Sequence, residues 1–105
     1  MRSHLALNIK IIKRDTVGEV RLIGKMDSIA AAEAEKALLS VADRFDHIVL
    51  DLAELQYITS AGLRVLKSLY LAVRRRGGSL SCVNVNKMVM EVFEVTGFVS
   101  MLQLS

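Results

Sequence analysis

Proline is missing from the 105-residue chain, so its turns fall to glycine, asparagine, aspartate and serine. Tryptophan is missing too, and the aromatic content is three phenylalanines and two tyrosines. Nucleic-acid binding draws on a broad basic stripe with aromatic platforms for bases, so no direct nucleic-acid partner is expected. Cysteine occurs once, at Cys82, which rules out a disulfide within the chain and a zinc centre built from several cysteines. Cys82 sits in an alternating apolar stretch and reads as a small buried hydrophobe. No apolar run approaches the roughly 18 residues of a membrane-spanning helix, and Met1–Leu7 lacks the apolar centre of a signal peptide. A cytoplasmic protein without membrane insertion is the expectation. There is no phosphate-cradling Gly-x-x-x-x-Gly-Lys loop and no Gly-x-Ser-x-Gly elbow. His4 and His47 are far in sequence from any candidate nucleophile; His4 is expected in a mobile terminus and His47 at the start of a strand. The chain therefore reads as a non-enzyme with no cofactor and no metal.

What is present suits one folded domain covering residues 1–105. Hydrophobic residues make up 52% and charged residues 24%, enough apolar material for a core and too little charge for disorder. The net charge is only +3, and the one basic cluster, Arg74-Arg75-Arg76 before Gly77-Gly78, reads as a solvated helix end facing the negative pole of its dipole.

Periodicity orders the elements. Leu7–Lys13 and Glu19–Gly24 alternate apolar and polar residues around turn material at Arg14–Gly18, a β-hairpin. A helix capped by Asp27 or Ser28 follows, with Ile29, Ala32, Leu38, Leu39 and Ala42 as its apolar stripe. His47–Leu52 is a covered strand, Ala53–Ile58 a loop, and a second helix starts at Thr59 or Ser60, with Leu63, Leu66, Tyr70 and Val73 facing inward. Ser79–Val85 is a strand. Lys87–Thr96 is a third helix with Val89, Val92, Phe93 and Val95 toward the core, closed by Gly97. Phe98–Leu104 is a last strand or a helical turn. Met88, Met90 and Met101 read as core filler. The order β-β-α-β-α-β-α implies a single α/β domain with a mixed, mostly parallel sheet and helices packed on it.

Partners of such sheets meet the carboxyl ends of the strands, and Thr59-Ser60-Ala61-Gly62-Leu63 lies just past one of them. A helix start carries unpartnered N–H groups and favours negative charge, and Ala61 and Gly62 are small enough to let another surface approach. A phosphate on Ser60 would suit that field while adding roughly −1.5 to −2 charges. Arg64 and Lys67, one helical turn apart near this segment, read as solvated charges, with pairing to acidic partner residues at the rim as the alternative.

Residues along nearly the whole chain resemble the STAS domain family, and within it the bacterial anti-sigma factor antagonists. Gly24-Lys25-Met26-Asp27 resembles the family's Gly-x-Leu-Asp, and Ile48–Leu52 its third strand. Tyr57-Ile58-Thr59-Ser60-Ala61-Gly62-Leu63 resembles its most distinctive segment, an apolar pair followed by Asp-Ser-Ser/Thr/Ala-Gly-Leu. Gly77–Leu80 and Val89–Phe98 resemble the turn into the fourth strand and the terminal helix. The resemblance implies a partner-switching regulator. Its partner would be an anti-sigma factor that is also a serine kinase of the histidine-kinase-like ATPase type. Phosphorylation of the matching serine, Ser60, would release that partner, and a serine phosphatase would reset the switch. Asp27 maps onto the family's acidic residue beside the serine, and Gly62 and Leu63 onto the helix start. The chain departs from the pattern at Thr59, where the antagonists usually carry aspartate, and at Asn86 or Lys87, where they carry proline. Thr59 brings a second hydroxyl, making it a second candidate acceptor. It also keeps open an alternative, a non-phosphorylated STAS scaffold subunit of a signalling or lipid-transport complex.

Overall fold

Alternation at the start of the chain does produce a hairpin. In the computed structural model, which describes residues 7–104, β1 (Leu7–Arg14) pairs antiparallel with β2 (Val17–Met26), from Leu7↔Gly24 to Arg14↔Val17. His4 lies outside the described residues. Along its other edge β2 carries two parallel partners in tandem. Val17–Arg21 pair with β3 (His47–Asp51), and Gly24–Met26 with β4 (Leu55–Ile58). The register shifts between Gly24 and Lys25, where Gly24 takes φ 116 and its N–H donates to the Glu54 carbonyl at 3.0 Å. This corrects the reading of Ala53–Ile58 as a loop, since four of those residues are a strand. β3 and β4 flank a short excursion, pinned by the Asp51 carboxylate, which accepts from Ala53 N–H and Asn84 Nδ2, both at 3.1 Å.

The remaining strands, β5 (Ser79–Val83) and β6 (Gln103–Leu104), extend the sheet in the order β1-β2-β3-β5-β6, with β4 beside β2. All pairings but the first are parallel, so the sheet is mixed and mostly parallel. Both readings of the tail are realised in turn: a 3-10 turn spans Phe98–Met101 before β6. The crossovers through α1 (Ser28–Arg44) and α2 (Ser60–Arg75) step the same way along the sheet, and right-handedness puts both helices on one face. There they pack against each other. The third helix, α3 (Lys87–Thr96), starts at Asn86, whose side chain accepts from Val89 N–H at 2.9 Å and donates to the Leu55 carbonyl of β4. Asn86 thus caps the helix and ties it to the strand that leads into α2.

The core joins Val20, Leu22 and Leu50 of the sheet to Leu66, Leu69 and Val73 of α2. Phe93 of α3 meets Phe98 edge-on at 5.0 Å between ring centroids, both fully buried. Four expectations about side chains need correction. On α1 the buried face is Ala30, Ala31, Ala34, Leu38, Val41 and Ala42, while Ile29 is 77% exposed, Ala32 is exposed and Leu39 is only half-buried. In so alanine-rich a helix the face is chosen by close packing on β2 and α2, not by the larger side chains. On α2 Leu69 joins the buried face, while Tyr70 packs against the core from its margin; on α3 Val95 is 87% exposed, while Val92 is half-buried and packs against the core as expected. Met88 is 58% exposed, not core filler, and Met90 and Met101 are half-buried.

Cys82 is fully buried on β5, as expected, and burial pushes its thiol up to about 12, so it is protonated and inert at neutral pH. Gly77 closes α2 at φ 76 with open space where a side chain would be, the left-handed ending expected of it. Gly78 differs: its φ is not positive, and a Cβ there would overlap the Asp46 carbonyl. No helix among the described residues is long and apolar enough to cross a membrane.

Candidate functional site

Parallel pairing of Met26 with Ile58 sets two chain exits side by side at the carboxyl end of the sheet. Each exit turns at once into a helix. Asp27 is the N-cap of α1, its carboxylate accepting from Ala30 N–H at 2.8 Å. Thr59 is the N-cap of α2, its hydroxyl accepting from Gly62 N–H at 3.3 Å. The sequence brings these positions 32 residues apart in number, yet one carbonyl joins them: Met26 C=O accepts from Thr59 N–H at 3.0 Å and from Thr59 Oγ1 at 3.1 Å. The expected neighbourhood of Asp27 and the Thr59–Ser60 turn is therefore present.

The Thr59 hydroxyl is doubly committed. It donates to Met26 C=O and accepts from Gly62 N–H, and the residue is half-buried. A carboxylate at this position would accept from the helix but have no proton to give to Met26. Threonine thus supplies a link between the two helix starts that aspartate does not. Thr59→Val keeps the shape and removes the hydroxyl. It is expected to cost about 1–2 kcal/mol in urea denaturation, through the lost cap and the orphaned Gly62 N–H, with Thr59→Ser restoring most of it.

Ser60 is the first residue of α2 and is exposed, and Arg64 is exposed on the same helix. Lys67 and Ala61 are half-buried. Gly62 and Leu63 point the other way. Leu63 is buried in the core, and a Cβ on Gly62 would lie 2.8 Å from Ile58 Cγ1, 2.8 Å from Met26 Cγ and 3.0 Å from the Met26 carbonyl. The smallness of Gly62 serves internal seating of α2 on the ends of β2 and β4, not the approach of another surface. Sequence reasoning missed two features: the Met26 carbonyl, a backbone group with no compositional signal, and the exposed Ile29 beside the Asp27 cap.

The ensemble is a single α/β domain that presents an exposed serine at the start of a helix braced against the sheet's carboxyl edge. The model of the family described as the STAS domain matches residues 8–105, and the chain belongs to that family. It is 23% identical over 99 residues to the anti-sigma-B factor antagonist of Bacillus subtilis (strain 168), covering 94% of this chain and 91% of that protein. Among solved structures it is similar to an anti-sigma factor antagonist from Mycobacterium paratuberculosis (TM-score 0.85, 23% identity, 99% of this chain and 89% of that one). It also resembles the Bacillus cell fate determinant SpoIIAA in its phosphorylated form (TM-score 0.72, 16% identity, 95% and 91% of the two chains).

Proposed function

We propose that this chain is an anti-sigma factor antagonist: a non-enzymatic, cytoplasmic partner switch that holds an anti-sigma factor through the start of α2 and releases it when Ser60 is phosphorylated. The partner is a serine kinase of the histidine-kinase-like ATPase type, and a serine phosphatase reverses the mark. Ser60 Oγ takes the γ-phosphoryl group of the kinase's ATP; the new O–P bond forms as the bond to ADP breaks, and the hydroxyl proton leaves to the kinase. The family membership and the names of the relatives support the class. The observation that carries the site is the division of labour between two adjacent hydroxyls. Thr59 Oγ1 is half-buried, with its proton donated to Met26 C=O, whereas Ser60 stands exposed at the first turn. There the field of the helix favours the added phosphate, so the mark costs the fold little.

Thr59 in place of aspartate favours a second reading, a scaffold subunit that is never phosphorylated. Affinity capture separates the two. With wild-type, Ser60→Ala and Ser60→Asp chains as baits, the switch retains an ATPase-type kinase on the first two and loses it on the third. The scaffold keeps the same partners on all three.

A further inference from the structure

We propose that β1 docks a second copy of this chain: Asn8–Arg14 of two molecules pair antiparallel about a twofold axis at Ile11, joining the two sheets into one. This stands apart from the reading of Ser60 and does not depend on it.

β1 is the end strand of the sheet, and its outer edge has no strand partner among the described residues. Its ladder with β2 runs without a shift from Leu7↔Gly24 to Arg14↔Val17, so the free edge is regular and eight residues long. The N–H and C=O groups along such an edge are a template for another strand. Alternation gives each side of β1 its own content. Leu7, Ile9, Ile11 and Lys13 lie on the helix side, since Ile9 and Ile11 stand opposite the buried Leu22 and Val20. Ile11 is nonetheless 41% exposed, while the other exposed large apolar side chains among the described residues are on helices. Beside this strand a groove of about 290 Å³ runs between Ile9 and Ala30, Ala34 and Ala37 of α1, and Glu33 lines it too.

Charge selects the register. A twofold axis perpendicular to the sheet keeps the two helix sides together, so opposed residues share a side and the axis falls at a residue. An axis at Lys10 sets Lys10 against its own copy, and one at Ile12 sets Lys10 against Arg14. Like charges directly opposite are unfavourable. An axis at Ile11 sets Lys10 against Ile12, Lys13 against Ile9 and Arg14 against Asn8, with the two Ile11 side chains face to face. Lys13 of each copy then enters the groove of the other beside Ile9, within reach of Glu33. Neither Lys13 nor Glu33 takes part in the ion pairs of the described residues, whereas Arg14 keeps Glu19 at 2.7 Å. The helices have room. α1 packs on β2, and the two β2 strands would lie three strand spacings apart, roughly 14 Å, beyond the contact distance of about 8–10 Å between helices. The paired strands and grooves bury roughly 1,000 Å² in total, the small end of specific interfaces, which suits a micromolar dimer. Because the strands run antiparallel, the two Ser60 ends face opposite ways and both stay open, so one dimer holds two partner molecules.

The test is sedimentation velocity on the full chain from about 1 to 500 μM, where a monomer–dimer equilibrium with Kd of about 1–100 μM is expected. Lys13 and Glu33 are exposed, so their variants should keep the far-UV circular dichroism of the parent. Lys13→Glu and Glu33→Lys should each weaken the dimer at least about tenfold, and mixing the two variants should restore it, because the mixed pair recovers both ion pairs. Ile11→Lys should weaken it at least about tenfold by setting like charges on the axis. Cys82 is buried, so an introduced surface thiol is the accessible one. Ile11→Cys should oxidise to a covalent dimer, opposed Cα atoms being about 4.5–5.5 Å apart, and Lys10→Cys, diagonal to its own copy at roughly 7–8 Å, should not. A monomer at every concentration would overturn the proposal, as would a dimer indifferent to all these variants. A mixture that binds no better than its components, or cross-linking at Lys10→Cys in place of Ile11→Cys, would overturn the register. Hydrogen-exchange protection along the outer edge of β1 in a chain that stays monomeric would give that edge to residues 1–6 of the same molecule and overturn the dimer.

Discussion

Replacing Gly62 by valine is expected to destabilise the domain by about 3 kcal/mol and to abolish partner capture, although Gly62 itself is buried. A β-carbon at this position meets Ile58 Cγ1 and Met26 Cγ at 2.8 Å and the Met26 carbonyl at 3.0 Å. The first two atoms lie near the roots of their side chains and the third is backbone, so none can swing aside. The opposing gain, removal of glycine from a helix, is worth only about 1 kcal/mol and is outweighed. Relief of the overlap requires α2 to lift from the ends of β2 and β4. That lift would break Thr59 Oγ1 from Met26 C=O and shift Ser60 with it. Gly62→Ala should show the same effect at about half the size. Urea denaturation reads the stability; capture at a temperature where the variant is still folded reads the site.

Gly78→Ala should cost still more, at least about 3 kcal/mol, with a fall in melting temperature of about 15 °C. The added carbon would overlap the Asp46 carbonyl, which accepts from Ser79 N–H at 2.9 Å and begins the pairing of β3 with β5 at His47↔Ser79. Moving Asp46 away would open that parallel ladder at its first rung. The adjacent Gly77→Ala meets nothing within 4 Å and carries only the penalty of its left-handed φ of 76, about 1 kcal/mol. Thermal scans of the two alanine variants side by side make the contrast direct.

These glycines show where the sequence was readable and where it was not. Gly77-Gly78 announced a helix end correctly, but only Gly77 acts through its backbone angle; Gly78 acts through a contact with a residue 32 positions away in number, which no local pattern encodes. Alternation revealed the hairpin because its strands are 8 and 10 residues long, and it failed for β4 because four residues hold too few alternations to separate strand from loop. Capping chemistry located the starts of α1 and α2 at or next to Asp27 and Thr59, since each needs a side-chain acceptor for a free N–H, whereas the Asn86 cap of α3 is seen only in the structure. The inward face of α1 was misread because alanine permits several faces, and burial of Ala30 and Ala31 in place of Ile29 was decided by the neighbouring sheet and helix.

The same division holds at the site. Ser60, Asp27, Arg64 and Lys67 were legible as residue types at given spacings. What Thr59 does was not, because its partner is the carbonyl of Met26, brought beside it by strand pairing. Threonine looked like the loss of a carboxylate; in the fold it is a brace that joins two helix starts and leaves the neighbouring serine as the free hydroxyl.

The central claim is that Ser60, and not Thr59, carries the regulatory phosphate. It is tested most directly by isolating the chain from the cells that make it, with and without its kinase, and sequencing the peptide spanning Leu55–Arg64 by mass spectrometry. The account predicts a single phosphate on Ser60, dependent on the kinase and absent from the partner-bound fraction. Phosphate on Thr59, or an unmodified peptide in every fraction, would contradict it.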